Sequence, residues 1–370
     1  MPAAPAQHIL ICLHDFEKGG AERIAIGLAR IWVKAGRTVT MLCGSTTGGL
    51  CHTVDPSVKV IELDPPIPQT LFSRLWLGKA MAEHFETLRP DVVFLIGNFH
   101  LFLANGMQSS ALCPPIGLKI SNPPLPNGPA SMIAATVFRH FGKGVSGFSA
   151  LSEGLARETR RIMPDKPVTV VGDPIFVNKG DGAQADILST DRINIIWAGR
   201  LEPQKDVMLA IRTMACLQGD PRLHLTICGD GSLRQKAEKL AKQLGQQARI
   251  TFAGHVSTID PFLAKADILL MTSHYEGAPA VVGEALSHDV PVVSTDCAHF
   301  LHDVMTISAA GKIISGRNPA DLAAAVLEIT SSPKPEKGQL HALVAHLEPH
   351  AAAMAYLDWL DDLKIGRAHV

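Results

Sequence analysis

Short apolar runs alternate along this chain with stretches whose apolar positions return at helical spacing. The runs Ile9–Leu13, Thr38–Cys43, Val58–Glu62, Asp91–Ile96 and Ile116–Ile120 predict strands, because each is brief and bounded by polar or turn residues. Ala21–Lys34 is amphipathic and reads as a helix, as does Leu75–Thr87. Alternation of this kind predicts an α/β fold with a parallel sheet and right-handed crossovers.

The pattern breaks between Pro164 and Asp191, a stretch rich in Pro, Gly and Asp. Val168–Val171 within it reads as the last strand of a first domain, and Gly180–Gln184 as a linker or hairpin. The alternation then restarts. Strands are expected at Ile193–Trp197, Leu223–Cys228, Arg249–Phe252, Ile268–Met271 and Val290–Ser294. Helices are expected at Asp206–Cys216, Ser232–Gly245, Pro261–Lys265, Pro279–Ser287, Asp321–Ile329 and Leu347–Leu363. Two doubly wound, Rossmann-like domains are predicted, over residues 1–178 and 190–345, facing a central cleft. The last six residues, 365–370, match the translation of a sequencing adapter and are expected to be a non-native tail.

With 370 residues, 46% of them hydrophobic, the chain can bury two cores, while 5% aromatic content leaves little for stacking on bases. A net charge of −1 argues against nucleic acid as a partner. Charge is uneven: residues 1–180 hold 17 Lys and Arg against 13 Asp and Glu, and no carboxylate lies between Val92 and Ser152. That bias suits an anionic lipid surface or a phosphorylated acceptor, and equally a buried sheet with a few surface cations. Leu71, Phe72, Leu75 and Trp76 beside Arg74 and Lys79 form a second candidate membrane contact, with core packing as the rival reading. The seven cysteines include no C-x-x-C pair, which predicts a reducing, cytoplasmic compartment and no zinc site. No apolar run reaches the roughly 18–20 residues of a membrane span, and the short start Met1–His8 leads straight into a strand, so no leader is expected.

The chemistry concentrates in the second domain. Glu276 and Glu284 flank a strand-to-helix turn, with Pro279 placed to open the helix. A helix N-terminus favours phosphate, and a carboxylate on either side of it can hold sugar hydroxyls. Two carboxylates alone would also fit a glycosidase, one acid and one nucleophile. Arg200 and Lys205, after the strand Ile193–Trp197, tilt the choice, since a rigid fork and a point charge suit a departing diphosphate. Gly199 allows close backbone approach, and Gly229 and Gly231 form a strand–turn–helix that admits a nucleotide. Backbone groups of His255 and Val256 are candidates to read a base edge. Gly19 and Gly20 precede the first helix and suit the same diphosphate, although they do not form a dinucleotide fingerprint.

These pieces, in this order, resemble the family 4 glycosyltransferases of the GT-B fold. The matching residues are Gly19-Gly20-Ala21-Glu22-Arg23, Ala198-Gly199-Arg200-Leu201 with Lys205, Gly229-Asp230-Gly231-Ser232, Phe252-Ala253-Gly254-His255, Ser273 to Pro279 with Glu284, and Pro291 to Cys297. The resemblance covers about residues 8–330. It implies a retaining transfer of a sugar from a nucleotide-diphosphate donor, UDP favoured, to a glycan or lipid-linked acceptor in bacterial cell-surface polysaccharide or lipopolysaccharide synthesis. It implies no metal and no other cofactor. Arg200 and Lys205 would neutralise the diphosphate, Glu276 hold the sugar and Glu284 the ribose. Gly20 and the backbone at Ala280 and Val281 would line the phosphates. Asn122 stands where several relatives carry a histidine, and would contact the sugar or acceptor without titrating. The closing helix, 346–364, would pack back towards the first domain, and the enzyme would work in the cytoplasm, at times on the inner face of the cell membrane. Rival expectations are a GT-B nucleotide-sugar epimerase and a non-catalytic nucleotide-sugar-binding protein.

Overall fold

A computed structural model of the chain describes residues 4–17, 19–70, 73–126, 128–176, 185, 187–189, 191–217 and 219–366. The proposed linker Gly180–Gln184, the apolar Leu71 and Phe72, and residues 367–370 of the tail lie outside the described residues. The chain forms two compact units, residues 1–174 with 347–370, and residues 175–346.

The first unit is built from β1 (His8–Leu13), α1 (Gly20–Lys34), β2 (Thr38–Cys43), β3 (Lys59–Glu62), α2 (Ser73–Ala82), α3 (Phe85–Leu88), β4 (Val92–Leu95), α4 (Leu101–Met107), β5 (Ile116–Ile120), α5 (Ser131–Gly142), β6 (Gly147–Ala150), α6 (Glu153–Ile162) and β7 (Val168–Val170). Its strands are parallel, in the order β3-β2-β1-β4-β5-β6-β7. Nearly every residue of β1, β4 and β5 is buried, as expected of strands covered on both faces.

The second unit contains β8 (Ile193–Ala198), α7 (Val207–Cys216), β9 (Leu223–Cys228), α8 (Arg234–Gln243), β10 (Ile250–Gly254), α9 (Asp260–Leu263), β11 (Ile268–Met271), α10 (Ala280–Ser287), β12 (Val292–Thr295), α11 (His299–Val304), β13 (Gly311–Ile314), α12 (Pro319–Ser331) and α13 (His341–Val344). Its parallel sheet runs β10-β9-β8-β11-β12-β13. Trp197, Ile195, Leu225 and Leu270 pack with Val207, Ile211 and Val326 in its core.

The chain then returns to the first unit as α14 (Pro349–Ile365). Its aromatic face explains why it docks there. Tyr356 and Trp359 sit 5.5 and 6.1 Å from the ring of Phe94 on β4, and Trp32 Nε1 donates to Ala353 O at 2.9 Å. A Cβ on Gly117 would stand 2.6 Å from the Trp359 ring, so this glycine admits the indole onto β5. Lys119, almost wholly buried on β5, donates to both oxygens of Asp173 at 2.8 Å, and Tyr356 Oη donates to the same carboxylate at 3.0 Å. Burying that ammonium is tolerable because an ionised carboxylate meets it with both oxygens.

Among the described residues the structure holds five helices that the sequence reading did not name, α4, α5, α6, α11 and α13, and the other differences are local. β6 and β13 are short and glycine-containing, and carried too little apolar signal to read. The helix expected over Leu75–Thr87 begins at Ser73 and breaks after Ala82. Pro279 sits at the N-cap of α10, one residue before the position expected for it.

Candidate functional site

In the second unit the chain leaves β8 for β9 and β10 on one side, while β11 leads to β12 and β13 on the other. The loops after β8 and β11 therefore diverge, which opens a crevice at the carboxyl ends of those two strands. Four of the charged residues singled out from the sequence converge on it. Arg200 and Lys205 follow β8, while Glu276 and Glu284 follow β11.

Both loops are tied down from behind. Trp197 Nε1 donates to Thr272 Oγ1 at 2.9 Å, and the Thr272 hydroxyl reaches Asp206 O at 2.8 Å. His274 N–H donates to Gln204 O at 2.8 Å, and Gln204 Nε2 returns a bond to Tyr275 O at 2.9 Å. Asp206 holds a left-handed backbone at φ 44° and caps α7 through Leu209 N–H at 3.2 Å. Arg317, from the loop between β13 and α12, clamps the assembly. It donates to Asp206 Oδ2 at 2.6 Å, Thr272 O at 2.7 Å and Ser273 O at 2.8 Å. Neither Asp206 nor Arg317 was singled out as a site residue. Asp206 carries a legible helix-cap signal, whereas nothing near Arg317 in sequence points to a loop 111 residues away.

Held in this way, Lys205 Nζ meets Glu276 Oε1 at 2.6 Å, with Glu276 largely buried. Arg200 is exposed, and among the described residues its guanidinium has no ion-pair partner. Glu284, in the second turn of α10, is partly buried, and among the described residues no side chain bonds its carboxylate. Burial, reinforced by the nearby Asp260 carboxylate, pushes its pKa up to about 7. Asp260 is itself engaged at 2.9 Å by Nε2 of His288, the residue that follows the last turn of α10. The N-terminus of α10 carries no side-chain cap and no acid in its first turn, and Ala280 there is exposed. Its amides and dipole thus remain available to an anion beside Lys205 and Arg200.

The glycine turns have a steric cause. A Cβ on Gly229, which sits at φ 142°, would lie 1.9 Å from Gly199 O. Gly229 N–H donates to Gly254 O at 2.7 Å, and Gly199 N–H to Cys228 O at 3.0 Å. The backbones leaving β8, β9 and β10 are therefore in direct contact. Gly231 and Ser232 follow, with Ser232 N–H and Oγ donating to Glu202 at 2.9 and 2.7 Å. His255 is exposed and Val256 partly buried just beyond β10. Among the described residues no cluster of three or more His, Cys, Asp or Glu is placed to hold a metal ion.

The remaining candidates belong to the first unit. Gly19 caps α1 and Gly20 opens it, and a Cβ on Gly20 would meet no atom within 4 Å. Asn122 follows β5 with its side chain exposed, its N–H bonded to Asn98 Oδ1 at 3.3 Å. Sequence reasoning overlooked two histidines at the same edge, where β1 and β4 diverge. His14 follows β1 and bonds Ser73 Oγ through Nε2 at 2.9 Å. His100 follows β4, and burial with the Arg74 charge lowers its pKa to about 4, so it is neutral at physiological pH. Arg74 stacks 4.9 Å from the Phe99 ring centroid. Of the apolar cluster around it, Trp76 is exposed, and the Leu75 side chain lies outside the described residues.

Comparison with known proteins gives two family matches. Residues 18–177 match the family described as Glycosyltransferase Family 4, and residues 183–340 that described as Glycosyl transferases group 1. Among curated relatives, an undecaprenol-linked 4-alpha-N-acetylgalactosaminyltransferase of Campylobacter jejuni is 27% identical over 247 residues, 67% of this chain and 60% of that protein. The aligned stretches span between 14% and 60% of the length of the first four such relatives. Among solved structures, a lipopolysaccharide outer core galactosyltransferase superposes with a TM-score of 0.75 at 16% identity, over 97% of this chain and 99% of that one. Anabaena HepE in complex with UDP-glucose superposes with a TM-score of 0.68 at 16% identity, over 98% of both chains.

Proposed function

This chain belongs to the family 4 glycosyltransferases and has their GT-B fold, and from that premise we propose that it moves a sugar from a nucleotide-diphosphate donor to a glycan or lipid-linked acceptor of a bacterial cell surface. The observation that carries the reading is the convergence of Arg200, Lys205, Glu276 and Glu284 on the β8/β11 divergence beside the uncapped α10. The two cations and the amides of Ala280 and Val281 suit a diphosphate. Ionised Glu284 suits a ribose diol, accepting from both hydroxyls, and Glu276 suits hydroxyls of the transferred sugar. Gly199, Gly229, Gly231, His255 and Val256 offer close-packed backbone for the nucleoside. A UDP-sugar is the donor we favour, as the complex of HepE with UDP-glucose is a structural relative.

The reaction we assign retains anomeric configuration. The bond from the sugar carbon to the diphosphate oxygen breaks as the acceptor hydroxyl attacks from the same face. The acceptor proton passes to the departing phosphate oxygen. Catalysis then rests on stabilising charge at the leaving group, which Arg200 and Lys205 supply, so neither a strong protein base nor a metal is required. With a lipid-linked acceptor, the enzyme would work at the inner face of the membrane.

The test is transfer from a panel of nucleotide sugars to membrane-extracted acceptors, with product stereochemistry read by NMR. Arg200→Ala and Glu284→Ala are expected to abolish turnover of the correct donor, and full activity in both variants overturns the assignment.

A further inference from the structure

Among the described residues, seven of the eleven large hydrophobic side chains that stand exposed lie in the first unit, and three of those are on α5. Met132 is 78% exposed, Ile133 72% and Val137 39%. The buried side of the helix is supplied by Ala135, Phe138 and Gly142, with Phe138 set against Phe148 of β6. At 100° per residue, the exposed Arg139, Met132, Thr136, His140, Ile133 and Val137 share one arc, which Lys143 extends past the helix end. α5 itself has no carboxylate. Lys166 Nζ donates to Lys143 O at 3.2 Å, and Arg139 Nε to Ile162 O at 3.2 Å, which adds a further cation at that end. The acids on neighbouring elements are Glu153, Glu158 and Asp165. Glu153 is already paired with Arg160 at 2.7 Å, and Asp165 lies beside Lys166.

A helix that shows water a Met, an Ile and a Val interleaved with Arg, His and Lys has the makeup of an interfacial helix. The apolar side chains would gain by entering the headgroup–acyl boundary, and the cations by meeting anionic headgroups. We propose that the exposed face of α5 is a docking surface for an anionic lipid bilayer, with Met132 and Ile133 inserted and Arg139 and Lys143 at headgroup level. The surface differs from the Leu71–Trp76 segment, which the sequence offers as a candidate membrane contact with core packing as its rival. The inference rests on the proposed work at a membrane and specifies the face that would make the contact. It is tested apart from transfer, since vesicle binding needs neither donor nor acceptor.

The experiment is co-sedimentation of the full chain with vesicles of phosphatidylglycerol and phosphatidylcholine, against phosphatidylcholine alone. Binding to the anionic vesicles only is expected, falling as salt is raised. The double variant Met132→Asp, Ile133→Asp should weaken it about tenfold or more. Arg139→Gln with Lys143→Gln should weaken it less and flatten the salt dependence. All four side chains are exposed, and an unchanged thermal shift with UDP confirms that each variant is folded. Failure of the unaltered chain to bind anionic vesicles overturns the proposal, as does undiminished binding by the Asp variants. Concentration-dependent self-association that Met132→Asp abolishes, without vesicle binding, assigns the face to a second copy instead. Loss of transfer with vesicle binding intact would count against the catalytic reading alone.

Discussion

Lys205 and Glu276 neutralise each other across 2.6 Å, one from each of the two loops that form the crevice. A donor diphosphate must therefore compete with Glu276 for the ammonium, and the donor's sugar must offer Glu276 hydroxyl donors in exchange. This competition gives the two residues opposite signs in a binding experiment. Glu276→Gln frees Lys205 and should raise affinity for free UDP by about three- to tenfold, while transfer falls by about 100-fold. Lys205→Met should lower UDP affinity by about tenfold or more. Isothermal titration with UDP, together with steady-state rates, reads both. Equal weakening of UDP binding in the two variants would show that the pair does not compete with the ligand.

Glu284 predicts a pH signature. Its folded pKa stands at about 7, above its ordinary 4.5, because burial and the Asp260 charge disfavour the carboxylate. The folded state binds this proton more tightly than the unfolded state, so stability is lost as pH rises from about 4.5 to about 7, and the full penalty persists above. Glu284→Gln removes the penalty. The variant should be more stable than the parent by roughly 1–3 kcal/mol at pH 8, with the difference vanishing near pH 4.5. If ribose hydroxyls require the ionised acid, donor binding near pH 6 should also release a fraction of a proton. Melting temperature against pH checks the first effect, and titration in buffers of different ionisation enthalpy the second. A Glu284→Gln variant that is less stable at pH 8 would contradict the pKa assignment.

The site was legible where chemistry and chain position coincide. Arg200, Lys205, Glu276 and Glu284 each lie close to a strand end or helix start, and strand runs such as Ile193–Trp197 announce those ends. The sheet order, with β8 beside β11, follows no local pattern, yet it is what brings the two pairs together. The Lys205–Glu276 contact spans 71 residues and the Arg317–Asp206 contact 111, so spacing carries no trace of either. His14 and His100 were passed over for a related reason. His14 stands five residues before the Gly19-Gly20 turn and His100 just after a strand run, and only the pairing of β1 with β4 sets them on one edge. In the first unit the helix α5 was missed altogether, since its exposed Met132 and Ile133 blur the polar face by which a helix is recognised.

Two glycines separate steric need from tolerance. Gly229 combines φ 142° with a Cβ position 1.9 Å from Gly199 O, a backbone atom that cannot swing aside. Gly229→Ala should therefore cost about 3 kcal/mol or more and lower the denaturant midpoint of the second unit. Gly20 opens α1 with nothing within 4 Å of a Cβ, so Gly20→Ala should leave stability unchanged or raise it by up to about 1 kcal/mol. Urea unfolding of both variants is the measurement. A Gly229→Ala protein with parental stability would show that the backbones after β8 and β9 are not in contact.

Arg317 is expected to act on the reaction through others. Its guanidinium spans Asp206 Oδ2, Thr272 O and Ser273 O, the backs of the loops that carry Lys205 and Glu276. Arg317→Met leaves the Asp206 carboxylate and two carbonyls without that donor. A loss of about 1–3 kcal/mol in stability follows from the unsatisfied groups. The loops would also lose their register, so kcat/KM should fall by about 10- to 100-fold, chiefly in kcat, because the misplacement is of charges needed at the leaving group. Arg317→Lys carries the charge but not the fork, and one ammonium on a flexible stem cannot reproduce the planar three-acceptor geometry. It should recover stability better than activity. A purely structural role predicts instead that the two recover together, and kcat measured alongside melting temperature for the parent, Arg317→Lys and Arg317→Met proteins distinguishes the cases.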